Sequence, residues 1–323
     1  PAVLGTTGGK ENLADMRTKG MELSLTWNDQ IKDVAGSPLD YSIGIGISDN
    51  PSEITKYDNP TLSLDETHYQ GKKIGEIWGY VTDGFIKDEA EAQEMANKQA
   101  FISTTWKPGD IRYADLNGDG KIDPDNDRKV IGHALPKHTG GFNINAGWKG
   151  FDLVAMFNWS YGNDILNLSK VDYVTYAGSR KYQNMSTLMK KENRFTTIDP
   201  VTGLNIYNGG NADPERLREV NQNKTMWHPI INNNITTDWV VEDGSFLRLG
   251  TLTLGYTLPK NLTKKFGVKK LRLYATASNL FCLTGYSGQD PEVNTSSSNM
   301  TPGVDKSSYP KNKNYLFGAN LTF

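Results

Sequence analysis

Apolar side chains recur at every second position in seven segments, with polar or small residues between them. That is the period of a β-strand with two unlike faces. The apolar positions are Met21, Leu23, Leu25 and Trp27; Leu39, Tyr41, Ile43, Ile45 and Ile47; and Phe142, Ile144, Ala146 and Trp148. They continue with Phe151, Leu153, Ala155, Phe157, Trp159 and Tyr161; Leu252, Leu254, Tyr256 and Leu258; Leu271, Leu273, Ala275 and Ala277; and Tyr315, Phe317, Ala319, Leu321 and Phe323. Just before the fifth segment, Leu247 and Leu249 fall out of phase, which predicts a β-bulge near Gly250. The polar faces carry Glu22, Asp40, Asn143, Asn158, Arg272 and Asn320.

A soluble sandwich alternates in the same way, so other features decide. Trp27, Trp148, Phe151, Trp159, Tyr161, Tyr256, Tyr315 and Phe323 sit near the ends of the apolar faces. Transmembrane barrels place aromatic girdles there, at the membrane–water boundary. The stretches run about 9–11 residues, enough for a tilted strand to cross a bilayer. Connections alternate in length: 29–38, 149–150 and 259–269 are short, while 58–137, 163–240 and 282–312 are long. Outer-membrane barrels sort turns and loops by side of the membrane. The expectation is an all-β chain, the C-terminal part (about seven antiparallel strands) of a large transmembrane outer-membrane β-barrel with long extracellular loops. Residues 1–323 form one barrel segment without a plug domain, and 58–137 and 163–240 are its long extracellular loops. Seven strands that begin on the outer side cannot close alone, and open edges are not tolerated in lipid. The chain therefore reads as a portion of a larger barrel.

Composition narrows the alternatives. The formal charge of -2, from 35 Lys+Arg and 37 Asp+Glu, gives no basic excess for nucleic acid. Mean hydropathy is -0.56, and no run approaches a transmembrane helix. A single cysteine, Cys282, excludes an internal disulfide. No HExxH, GxSxG or P-loop motif is present, so no enzyme is expected. His68, His133, His138 and His228 read as solvated loop residues. Asp88 with Glu91 predicts a capping box opening a helix over 89–100. Trp78, Tyr80, Trp106, Tyr173, Tyr176, Tyr182, Trp227 and Tyr286 lie in the long loops. They could stack on sugar rings, meet a partner protein, or pack the loops internally.

One loop has metal-ligand spacing. Asp115, Asn117, Asp119 and Asp123 place side-chain oxygens at positions 1, 3, 5 and 9 of an EF-hand-type loop, Gly120 stands at the sixth, and Lys121 would offer its carbonyl at the seventh. Asn126 at position twelve is a poor bidentate donor. The site would hold one structural Ca²⁺; the same residues also favour a metal-free Asx turn.

Several motifs stand in a definite order. They are 71–85 (GKKIGEIWGYVTDGF), 107–123 (KPGDIRYADLNGDGKID), Ile131-Gly132 with Pro136, 140–143 (GGFN), and 148–152 (WKGFD). Then come 239–249 (WVVEDGSFLRL), 254–256 (LGY), 272–274 (RLY), 278–281 (SNLF) and 290–293 (DPEV). From about residue 15 to Phe323 this string resembles the C-terminal half of SusC/RagA-like TonB-dependent outer-membrane transporters of Bacteroidetes. The resemblance implies a barrel of about 22 strands around a plug. It also implies an outer-membrane location, a SusD-like surface lipoprotein partner, and the TonB complex acting through an N-terminal region. The transported substrate would be an oligosaccharide or an oligopeptide. The family's Asp before Arg matches Asp127, which the resemblance makes the closing calcium ligand. A passive barrel or adhesin, and a soluble Ca²⁺-binding β-protein, are the competing readings.

Overall fold

In the computed structural model, which describes residues 13–58, 68–175, 184–229 and 235–323, all seven alternating segments are strands of one antiparallel sheet. These are β1 (Met21–Ile31), β2 (Leu39–Asp49), β3 (His138–Trp148), β4 (Phe151–Tyr161), β5 (Phe246–Thr257), β6 (Lys270–Thr284) and β7 (Asn314–Thr322). They lie side by side in chain order, so the sheet is an up-and-down meander with β1 and β7 at its edges. The β1–β2 ribbon continues past Gly20 as a second short pairing, Ala14–Thr18 with Ser52–Tyr57.

Register keeps the apolar set on one face. Leu25, Ile45, Phe142, Phe157, Leu249 and Phe281 form a single row across six strands. Leu249 joins that row because the pairing of β5 shifts between Leu249 and Thr251. Gly250 is thus the bulge the phase break predicts, and it returns Leu247 and Leu249 to the apolar side. Phe142 and Phe157 stack with centroids 4.3 Å apart. This face is open: Leu25 is 57% exposed, Ile45 50%, Trp27 64% and Phe317 81%.

The opposite face is polar and cross-linked. Arg272 reaches Asp152 with Nε–Oδ1 at 2.9 Å and Nη2–Oδ2 at 2.5 Å, spanning β5 between them. Only glycine fits beneath this pair, since a Cβ on Gly255 would lie 2.5 Å from both partners. Ser48 bonds Thr139, and Thr253 bonds Thr276, each at 2.9 Å. The β3–β4 turn is the two-residue Lys149-Gly150 with φ of 48° and 86°, the left-handed pair that matches strand twist in a tight hairpin.

Connections 32–38, 149–150 and 258–269 lie at one end of the sheet, and 50–137, 162–245 and 285–313 at the other. The described residues of the long ones are folded rather than irregular, and we call them together the cap. Glu76–Tyr80 pairs with Arg128–His133, and Thr82–Phe85 with Ile111–Tyr113. Asp164–Asn167 pairs antiparallel with Val241–Asp243 and parallel with Val304–Asp305, joining the second and third connections. The first joins the second where Tyr80 N–H donates to Thr236 O at 3.0 Å, an approach that leaves no room for a Cβ on Gly79.

The buried core sits in the cap. Tyr80, Ile111, Tyr113, Ile122, Val174, Met189, Met226 and Trp227 form one cluster; Phe195, Ile206 and Leu217 form another. Helix α1 (Glu89–Lys98) buries Ala92 and Met95 against Ile86. Its N-cap Asp88 accepts from Glu91 N–H at 2.9 Å. Glu91, however, accepts from Lys87 N–H at 2.6 Å, one residue before the capping-box partner, and also holds Arg112. Buried Gln99 ends the helix and holds the following strand by accepting from Tyr113 N–H at 2.7 Å. A second helix, α2 (Pro214–Asn221), begins at Asp213, whose side chain accepts from Arg216 N–H.

Candidate functional site

Chemistry-bearing residues gather in the cap. The six residues expected to hold calcium fall in one loop on its surface, with the side chains largely turned onto backbone amides. Asp115 accepts from Gly118 and Gly120 N–H at 2.6 and 2.7 Å. Asn117 accepts from Asp119 N–H, and Asp119 from Lys121 N–H at 2.8 Å. The Asn126 side-chain amide donates to Asp123, as do Asn126 and Asp125 N–H, and together they hold its carboxyl below the usual range. Asp127 is fully buried and accepts from Leu116 and Asp123 N–H, both at 2.8 Å, so one carboxylate ties the two arms of the loop. Among the described residues no three His, Cys, Asp or Glu side chains are grouped to hold a metal ion. The hard-oxygen donor set fits Ca²⁺ by chemistry.

A larger site lies between the second and third connections. It is a cavity of about 880 Å³ walled by Asn167, Ser169, Lys170, Tyr173, Asn184, Met185, Ser186, Thr187 and Leu188 on one side and Ser287, Gly288, Gln289, Asp305, Ser307, Ser308 and Tyr309 on the other. Its two charged residues are committed to the scaffold. Lys170 Nζ is 3.1 Å from Glu242, donates to Trp239 O at 3.0 Å, and sits 3.9 Å from the Trp239 ring centre. Asp305, 3% exposed, accepts from Tyr286 O–H at 2.6 Å and Ser308 N–H at 3.2 Å. Burial pushes the Tyr286 phenol up, and Asp305 pushes it further. Burial opposes ionisation of Glu242, but Ser287 and Lys170 outweigh it and hold that carboxyl below the usual range. Besides Lys170 and Asp305, the cavity wall carries hydroxyls, amides, the apolar side chains of Met185 and Leu188, and two rings: Tyr173 is 50% exposed and Tyr309 85%.

The motifs of the sequence form the seams of this cap. Arg248 of the 239–249 motif is buried with Nη2 2.6 Å from Asp290 and Nε 2.7 Å from Glu292, both in the 290–293 motif. The second contact is electrostatic only, its angle lying outside hydrogen-bond geometry. Glu292 also pairs with Lys311 at 2.6 Å. Ile77 of the 71–85 motif pairs with Gly132.

The loop aromatics divide. Tyr80, Trp227 and Tyr286 are buried, and Trp106 packs against the main cluster. Trp78 is half-buried, with Nε1 3.4 Å from Glu76. Tyr173 alone lines the cavity, while Tyr176 and Tyr182 lie outside the described residues. Tyr309, not among the aromatics singled out from sequence, lines it too, and no period or motif in the sequence marks it. The polar residues Glu22, Asp40, Asn143, Asn158, Arg272 and Asn320 occupy strand positions opposite the apolar row, as their alternation requires. The histidines depart from expectation. All four are half-buried, and His138 begins β3 opposite Tyr161.

No family model matches the chain. It is 27% identical to TonB-dependent receptor P3 of Formosa agariphila, over 100% of this chain and 30% of that protein. It is 26% identical to TonB-dependent receptor SusC of Bacteroides thetaiotaomicron, over 97% of this chain and 27% of SusC. Its fold matches the RagAB peptide importer in the open-open state with a TM-score of 0.68 at 22% identity, covering 100% of this chain and 30% of that one. The chain thus spans about three tenths of the proteins it resembles. These similarities bear out the SusC/RagA-like resemblance and the barrel-type fold.

Proposed function

We propose that this chain forms part of the wall and the outer mouth of a TonB-dependent outer-membrane transporter that takes up nutrient oligomers, with oligosaccharides as the substrate class. The observation that carries the reading is the open apolar face of a seven-stranded meander whose long connections all fold at one end. Lipid is the environment in which such a face is at rest. No helix among the described residues is long and apolar enough to cross a membrane, so any crossing is by strands.

The cavity supports the saccharide reading. Its hydroxyls, amides and two exposed tyrosine faces, with Met185 and Leu188 as further apolar surface, suit the polar edges and apolar faces of sugar rings, while its Lys and Asp are already paired. An oligopeptide is the competing cargo. Calorimetry on the whole transporter with neutral gluco- and xylo-oligosaccharides and with penta- to nonapeptides separates them. Tyr173→Ala with Tyr309→Ala weakens saccharide binding at least about tenfold, each stacking contact being worth on the order of 1 kcal/mol. Peptide binding sensitive to the same changes, with none for sugars, reverses the assignment. A SusD-like lipoprotein is the partner we assign to the cap, whose second connection leaves Ile198, Val201 and Leu204 at 44%, 81% and 48% exposure. Co-purification through a tag on the transporter tests that partnership; recovery of the transporter alone from gently solubilised membranes removes it.

We assign one structural Ca²⁺ to Asp115, Asn117, Asp119, Lys121, Asp123 and Asp127. Support comes from the donor spacing and from buried Asp127 tying both arms. Titration of the metal-stripped protein with Ca²⁺ gives binding heat that Asp119→Ala reduces; a flat titration eliminates the metal.

A further inference from the structure

The turn between β5 and β6 is unlike the other two at its end of the sheet. Residues 259–270 (PKNLTKKFGVKK) hold five lysines and no acidic residue, in a chain whose net charge is -2. Lys260, Lys264, Lys265, Lys269 and Lys270 are all exposed, and none takes part in an ion pair among the described residues. The nearest acidic side chain on the adjoining strands, Asp152, is bound to Arg272. The next turn adds a further cation, Lys149, whose ammonium sits 5.0 Å from the Trp148 ring centre.

The lysines are interleaved with exposed apolar groups. Phe266 is 81% exposed and Leu262 46%. Directly below them, Tyr256 pairs with Leu273 on the apolar face, and Phe151 lies 4.5 Å from the Tyr256 ring. Phe323, 76% exposed, completes this aromatic margin. A folded turn, Lys260–Thr263 running into Lys264–Phe266, holds the segment against the strand ends, with Val268 N–H donating to Thr263 O.

We propose that this basic turn is a headgroup-binding anchor for anionic phospholipid in the leaflet at the short-turn end of the sheet. Phe266 and Leu262 enter the acyl boundary, and the lysine stems extend along apolar surface while their ammonium groups meet phosphate. A cluster of four to eight lysines beside a membrane-spanning segment has this electrostatic preference. Its continuity with the aromatic margin favours a lipid surface over a soluble acidic protein. The proposal rests on the membrane reading of the apolar face.

The test uses the whole transporter reconstituted into phosphatidylcholine bilayers with trace pyrene-labelled phosphatidylglycerol or pyrene-labelled phosphatidylcholine, read by energy transfer from tryptophan. We expect the anionic probe to be enriched about fivefold over the neutral one. Parity is expected in the Lys260→Gln/Lys264→Gln/Lys265→Gln/Lys269→Gln variant, and in the wild type at 0.5 M salt, because exposed charges are screened there. Equal retention of both probes by the wild type, or enrichment that survives in the variant, overturns the anchor and leaves a soluble acidic protein as the counterpart of these lysines. Failure of the protein to enter any bilayer overturns the membrane reading instead, so the two failures are distinguishable.

Discussion

Leu25, Trp27 and Ile45 in the sheet are 57%, 64% and 50% exposed, whereas Trp227, Val174 and Ile86 in the cap are 2%, 0% and 0% exposed. The sheet is held by backbone pairing in register and by polar links on its other face, and among the described residues no second layer covers its greasy side. The cap has few long strands and is held as a soluble domain is, by apolar clusters, N-caps and paired charges. The difference teaches where each region's stability comes from. The surroundings supply the sheet's, and side-chain packing supplies the cap's.

The largest expected effect falls where the two regions meet. Arg248→Ala leaves the Asp290 carboxylate buried without its cation and destabilises the junction by about 3–5 kcal/mol. Thermal unfolding in detergent, with protease cuts appearing first within 285–313, is the check; an unchanged midpoint would detach the cap's stability from this pair.

Next comes the sheet's dependence on lipid. Leu25→Lys on the open face costs about 2–4 kcal/mol when folding is titrated into vesicles, while Ser24→Lys on the opposite face costs close to nothing. Equal penalties for the two would break the contrast between faces.

The cap carries its own pH signature. Burial lifts the Asp110 carboxyl to about 6, despite the bond it accepts from Lys107 N–H. A folded-state value above the unfolded one means Asp110 supports the cap fully below pH 3.8 and withdraws that support as pH rises through about 6. Asp110→Asn therefore raises cap stability at pH 7.5 by about 1–2 kcal/mol and leaves it unchanged near pH 4. Cap melting at the two pH values checks this, and an identical gain at both would assign the effect to something other than the proton. Smallest is Asp88→Ala, which removes the α1 N-cap at about 1 kcal/mol together with the Arg218 contact from α2; faster hydrogen exchange in the first turn of α1 reports the lost cap, and any loosening of α2 reports the lost Arg218 contact.

The same contrast governs what the sequence reveals. Alternation is a local signal, and it exposes all seven strands; even the Gly250 bulge is visible as a phase break between Leu249 and Leu252. The cap's order comes from segments far apart in the chain, such as Leu166 beside Val304 or Tyr80 beside Thr236, and these leave no period behind. Its seams are visible only as motifs whose glycines mark close approaches. Helix α2 does carry a readable start, Asp213 before Pro214, which a reading of 163–240 as one loop passes over. The calcium-type spacing is legible through position nine, while the closing position falls on Asn126 and only the resemblance points to Asp127; spacing alone also does not predict that the carboxylates bind amides. The cavity is not legible at all, because its two walls come from residues about a hundred positions or more apart.

Because the long connections all emerge at one end, new sequence added there never has to thread between staves. The connections can change while the sheet is kept intact. The parallel stitch between Leu166 and Val304 sets a limit on that freedom: the second and third connections are fastened to one another, so a change that shifts one side of the stitch has to be matched on the other.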